Sequence, residues 1–163
     1  MVRRCTAAEF DRILAIINQA AQAYRGVIPE DCWHEPYMTA SELATEIATG
    51  VHFWGWNEKD DLLAVMGLQT VRDATLIRHA YVMPSHQGQG IGKALLIFLT
   101  KQATGPVLVG TWAAAQWAIR FYEWHGFRVV STEEKDRLLN AYWNIPLRQQ
   151  ETSVVLLRAA DFP

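Results

Sequence analysis

The stretch Tyr81-Val82-Met83-Pro84-Ser85-His86-Gln87-Gly88-Gln89-Gly90-Ile91-Gly92-Lys93 constrains this chain more than any other. An extended run stops at Pro84, a glycine-rich turn follows, and a helix begins at Gly90. Ile91, Ala94, Leu95, Phe98 and Leu99 fall on one face of that helix. Glycines let the backbone turn tightly and let a ligand come close to the amides. A helix N-terminus offers unpaired N–H groups and a partial positive charge, which suits phosphate or pyrophosphate. The bland alternative is a turn that only caps a helix.

Two well-known phosphate loops do not fit. A Walker A loop needs glycine where Gln87 stands and Ser or Thr where Ala94 stands. A dinucleotide fingerprint starting at Gly88 needs Gly or Ala where Lys93 stands.

Around this loop the chain reads as one domain over residues 1–163, with no internal repeat and no low-complexity linker. Thr6 to Glu9 is a capping box, and Phe10, Ile13, Leu14, Ile17, Ala21 and Tyr24 then recur at helical spacing. Gly26 and Pro29 break that helix, and residues 26 to 38 read as a loop or broken turn. A second capping box, Thr39 to Glu42, opens a short helix ending near Gly50. Val51 to Trp56, Leu62 to Val71 and Ala74 to Val82 are expected to form an antiparallel meander, with residues 57 to 61 as a polar turn. After the helix at Gly90, Val107 to Gly110 is a strand and Ala114 to His125 a helix closed by Gly126. Phe127 to Val130 is a strand, Thr132 to Tyr142 fits either a helix or a long loop, and Thr152 to Leu157 is the last strand. The order predicts an α+β fold around a mixed sheet.

Composition narrows the function classes. A net charge of -2 without a long run of one sign argues against a nucleic-acid platform. No stretch approaches the roughly 20 apolar residues that span a bilayer, and no apolar segment follows Met1-Val2-Arg3-Arg4 as a signal peptide requires. Cys5 and Cys32 form no CxxC pair and are expected to be reduced thiols of a cytoplasmic protein. No HExxH or Cys/His cluster appears, so no metal site is expected. No Gly-x-Ser-x-Gly elbow appears either.

The pattern Val82-x-Pro84-x-x-Gln87-Gly88-Gln89-Gly90-Ile91-Gly92 resembles the acyl-CoA loop of the GNAT superfamily of N-acetyltransferases. Downstream, Ala118 to Tyr122 followed by Gly126-Phe127 resembles that family's second signature, Ala-x-x-x-Tyr with Gly-Phe after it. The two signatures stand in the right order over residues 74 to 130. The resemblance implies a single acyl-CoA N-acyltransferase domain with a mostly antiparallel sheet flanked by helices. It implies acetyl-CoA as cosubstrate and a primary amine of a small molecule or peptide as acceptor, attacked directly in a ternary complex.

It also implies residue roles. The amides of Gln87, Gly88, Gln89, Gly90, Ile91, Gly92 and Lys93 would hold the pyrophosphate. The main chain at Val82 would bond the pantetheine arm, and an amide near Ala80 would polarise the thioester carbonyl. Tyr122 would protonate the departing thiolate, against the alternative of a half-buried helical aromatic. Relatives often carry Asn where Ala115 stands, so that side-chain contact to the pantetheine arm is missing or replaced here. A homodimer is expected by family analogy only.

The base is less defined. Strand alternation puts Arg78 and His79 on opposite faces, and His79 is a candidate base or a packed histidine. Glu30, Asp31, His34 and Glu35 are rivals, as is a water chain. Glu30, Trp33 and Glu35 are candidate acceptor-binding residues, since carboxylates and aromatic faces attract an ammonium; solvated loop charges are the alternative. A non-catalytic acyl-CoA sensor would keep the glycine loop but would not require Tyr122.

Overall fold

The computed structural model describes residues 1–159. Seven strands form one sheet: β1 (Val2–Arg4), β2 (His52–Glu58), β3 (Asp61–Val71), β4 (Ala74–Val82), β5 (Val107–Trp112), β6 (Arg128–Val129) and β7 (Ser153–Arg158). Their order is β1-β2-β3-β4-β5-β7-β6, antiparallel everywhere except between β4 and β5. The helices are α1 (Phe10–Ala20), α2 (Ala40–Ala48), α3 (Ile91–Gln102), α4 (Gln116–Glu123), α5 (Thr132–Tyr142) and α6 (Leu147–Glu151).

Period-two burial along the strands divides the helices between two faces. Ile77 and Val109 look to one side, where Leu95 and Leu99 of α3 and Ile119 of α4 close the core. Val51, Phe53 and Val65 look to the other, against Ile13, Ile16 and Ile17 of α1 and Leu43 of α2. Leu138 and Leu139 of α5 cover Leu76, Leu108 and Val155 on that same second side. Each fully buried leucine there contributes about 1.5–3 kcal/mol over an exposed one.

Both capping boxes form. The Glu9 carboxylate accepts from the Thr6 amide at 2.8 Å, and the box opens a 3-10 turn, Ala7–Glu9, ahead of α1. Thr39 Oγ1 accepts from the Glu42 amide at 3.1 Å at the start of α2. Residues 26–38 are more anchored than a loop reading suggests. Asn18 brackets Met38, accepting from its amide at 2.8 Å and donating to its carbonyl at 2.9 Å, while Ile28 and Cys32 are buried.

The structure refines the expected elements in three places. The polar turn shrinks to Lys59–Asp60, because Asn57 pairs with Leu62 and Glu58 with Asp61, continuing the ladder. Thr132–Tyr142 is helical, with Ser131 Oγ accepting from the Glu134 amide at 3.2 Å. β1 and α6 go unannounced by pattern: three residues cannot display a period, and Leu-Arg-Gln-Gln-Glu has no apolar stripe.

Candidate active site

The glycine loop forms as its composition dictates. Gly88 and Gly90 have φ of +78° and +81°, a region that side chains with a Cβ enter at a cost. Gly90 is the N-cap of α3, with no side chain capping it. The first backbone bond there runs from the Ala94 N–H to the Gly90 carbonyl at 3.0 Å, so the amides ahead of it are the unpaired set of a helix start. A Cβ built at position 88 or 90 would meet no protein atom within 4 Å. That open space belongs to a cavity of about 550 Å³, walled by the glycine loop, Val82, Phe121 and Tyr122 among others. Gln87 Nε2–H donates to the Val82 carbonyl at 3.1 Å and ties the loop to the strand that leads into it. Open glycines, a helix N-terminus and a cavity of this size fit an extended, phosphate-bearing cosubstrate.

The second component is a fault in β4. Val65 pairs with Tyr81 but Gly67 pairs with Arg78, so His79 and Ala80 together stand opposite Met66. His79 takes φ +54° to make this bulge. A bulge leaves backbone groups unpaired, here at the position where the main chain faces the cavity. On its other side β4 meets β5 only over Thr75–Ile77 with Val107–Val109, and beyond these pairs the parallel strands part. A smaller cavity, about 130 Å³, opens in the gap.

Tyr24, Ala80, Tyr81, Ala118 and Tyr122 line both cavities and define their junction. Tyr122 is 5% exposed, and burial first, then the neighbouring Tyr24, hold its phenol far above the ordinary tyrosine range. Its hydroxyl stays protonated at neutral pH. Burial also raises Tyr24 and Tyr81, and raises Tyr37, whose hydroxyl accepts from Trp112 Nε1–H at 2.8 Å. Tyr24 and Tyr81 escaped notice in the sequence: one reads as the last apolar residue of a helical stripe, the other as a strand residue. Only the adjacency of Tyr81 to Val82 hinted at its position.

His79 lies elsewhere than alternation implies. Arg78 Nη2 bonds Glu46 Oε1 at 2.6 Å, and His79 Nε2 meets the other oxygen of the same carboxylate. Both side chains therefore reach α2, because the positive φ at the bulge breaks the period of two. Burial would raise the Glu46 carboxyl, but the His79 hydrogen bond and the charges of His79 and Arg78 outweigh it and bring it below its usual value. His79 also borders the smaller cavity, with its side chain 15% exposed.

The two cavities are lined without Glu30, Trp33 or Glu35. Trp33 stacks on Tyr37, which does line the smaller one. Glu35 accepts from Gln22 Nε2 at 3.2 Å, and Asp31 makes a two-pronged contact with Arg148 of α6. Ala115, where relatives often carry Asn, is fully buried at the N-cap of α4.

Among the described residues, no helix is long and apolar enough to cross a membrane. A profile described as "Acetyltransferase (GNAT) domain" matches residues 17–141. The peptidyl-lysine N-acetyltransferase YiaC of Escherichia coli K12 is 24% identical over 145 residues, covering 88% of this chain and 93% of that protein. The PaiA N-acetyltransferase of Thermoplasma acidophilum, solved in complex with coenzyme A, superposes with a TM-score of 0.72 at 16% identity over 98% of both chains. The ribosomal-protein-S18-alanine N-acetyltransferase of Escherichia coli gives 0.67 at 15% identity, over 100% of this chain and 95% of that one. With three quarters of its length under the family profile, a glycine cradle at a helix start and a bulged, splayed sheet beside it, the chain belongs to the GNAT acetyltransferase family and is an acyltransferase.

Proposed function

We propose that the protein transfers the acetyl group of acetyl-CoA to a primary amine of a small molecule or peptide by direct attack in a ternary complex. The observation that carries this reading is the junction of the two cavities, where Tyr122 stands beside the bulge at Ala80. The amides from Gln87 to Lys93 receive the pyrophosphate, and the open edge of β4 at Val82 receives the pantetheine arm.

An α-amino group with pKa about 8 or a lysine amine at about 10.4 arrives largely protonated at pH 7 and must first lose a proton. His79 takes it through water. In its neutral form, with Nε2–H directed at Glu46, His79 carries the accepting lone pair on Nδ1. The amine nitrogen then bonds the thioester carbon, and the oxygen that gains charge is met by an amide near Ala80. The carbon–sulfur bond breaks, the Tyr122 hydroxyl protonates the sulfur, and the second proton leaving the nitrogen restores the phenol. The rim of the amine pocket is the segment carrying Glu30, Trp33 and Glu35, beside the wall that Tyr37 provides.

The reading is tested by incubating the enzyme with acetyl-CoA and a panel of amines, amino acids and peptides, following thiol release and product mass. Amine-dependent thiol release with a mass gain of one acetyl group is expected. Tight acetyl-CoA binding without turnover on any amine would instead mark a sensor module.

A further inference from the structure

Six of the seven tryptophans are engaged by the protein itself. Trp33 stacks on Tyr37 and Trp117 on Tyr24, and Trp54 packs at a tilt against Phe98. Trp112 donates to Tyr37, Trp143 covers Gly110, and Trp56 packs on the core. Trp124 is the exception. It is 82% exposed, no ring pairs with it among the described residues, and yet it lines the larger cavity. An indole carries roughly 150–250 Å² of surface that proteins normally cover.

Its place along α4 says what covers it. Trp117, Phe121 and Trp124 are spaced four and three apart, so they form one stripe on that helix, about 10 Å long at 1.5 Å per residue. Trp117 stacks on Tyr24, at the junction of the cavities. The Phe121 ring lies 3.6 Å from the Cβ position of Gly92, directly over the glycine loop. Trp124 continues the stripe one turn beyond that loop, away from the junction. With the thioester at the junction and the pyrophosphate on the loop, the part of acetyl-CoA still to be housed is its nucleotide.

Charge in this region has the sign that a nucleotide needs. Lys93 and His86 line the same cavity, and His125 is shared with a neighbouring hollow of about 230 Å³ that carries Lys101 and Arg158. The His125 ring is oriented by a 2.6 Å contact between Nδ1 and the Phe121 carbonyl.

We infer that the Trp124 indole is the stacking platform for the adenine ring of acetyl-CoA. The inference rests on the acetyl-CoA reading given above and adds a nucleotide subsite to it.

The test compares two donors by calorimetric titration: acetyl-CoA, and S-acetyl-4′-phosphopantetheine, which lacks the nucleotide. Base–aromatic stacking implies that Trp124→Ala binds acetyl-CoA roughly 5- to 150-fold more weakly. The truncated donor should not register the change, and Trp124→Phe, which keeps a ring face, should recover most of the loss. Trp124 is exposed, so the variant folds. A loss of less than about threefold for acetyl-CoA, below the range expected of stacking, overturns the inference. So does an equal loss for both donors, or an alanine variant that matches the phenylalanine one. A loss below threefold would leave the exposed indole open to a protein partner. A wild-type protein that binds neither donor would overturn the parent reading as well, and that outcome is visible before any variant is made.

Discussion

At Tyr122 burial disfavours the phenolate and keeps the proton on the hydroxyl. Its hydroxyl is held above the ordinary tyrosine range, so the protonated form persists through neutral and mildly alkaline pH. Tyr122→Phe keeps the ring against Phe121 and Phe127 and removes only the hydroxyl. If it supplies the proton to sulfur, kcat falls by about 10²–10⁴-fold while acetyl-CoA affinity stays near that of the wild type. Single-turnover kinetics on a good amine, paired with calorimetry, measure this; an unchanged chemical step would remove Tyr122 from the mechanism. Tyr122 was legible because it sits inside a short signature. Tyr24 was not, although it lines the same junction, because it is brought there by the turn at residues 21–24 and by packing on Trp112 and Ala115. Those are contacts between distant parts of the chain, and no local spacing records them. His79 shows the opposite failure: its identity was noticed, but a single positive φ redirected its side chain.

At the scale of elements, the start of α3 separates two glycines that look alike in the sequence. Gly90 has φ +81° and faces open space, whereas Gly92 has ordinary helical geometry with Phe121 and Val82 at normal contact distance. Gly90→Ala forces a side chain into the left-handed region, at about 1–2 kcal/mol, and puts a methyl group where the pyrophosphate is proposed to lie. Gly92→Ala introduces no such strain and gains helix propensity of up to about 1 kcal/mol. The expected outcome is a large loss of acetyl-CoA affinity for Gly90→Ala beyond its small loss of stability, read by titration alongside denaturant unfolding. Gly92→Ala should be at least as stable as wild type. Elements announced by caps and periods were legible: both capping boxes, the meander, and the strand–turn–helix of the glycine loop. The bulge in β4 was not, because Arg78-His79-Ala80-Tyr81 contains no glycine or proline to mark it. Its cause is the register of β3 on β4, a property of the pair.

At the scale of the whole molecule, the sheet consists of an antiparallel run from β1 to β4 and another from β5 through β7 to β6. Within the sheet, only three residue pairs, Thr75–Ile77 with Val107–Val109, join these runs. The smaller cavity occupies the gap beyond them, and the larger one opens beside it along β4. A ligand lodged there is a strut between two halves that the backbone itself barely rivets, so occupancy and resistance to melting become one quantity measured in two ways. At acetyl-CoA concentrations of about 100 times Kd, linkage adds about 2.7 kcal/mol to unfolding. For a chain of this size that corresponds to a rise in melting temperature of roughly 5–11 °C. Differential scanning calorimetry against donor concentration should show this rise, and its absence would mean that the donor does not bind the folded chain. The enzyme thus carries its own gauge: a melting curve taken in the presence of any compound reports whether that compound binds the folded chain.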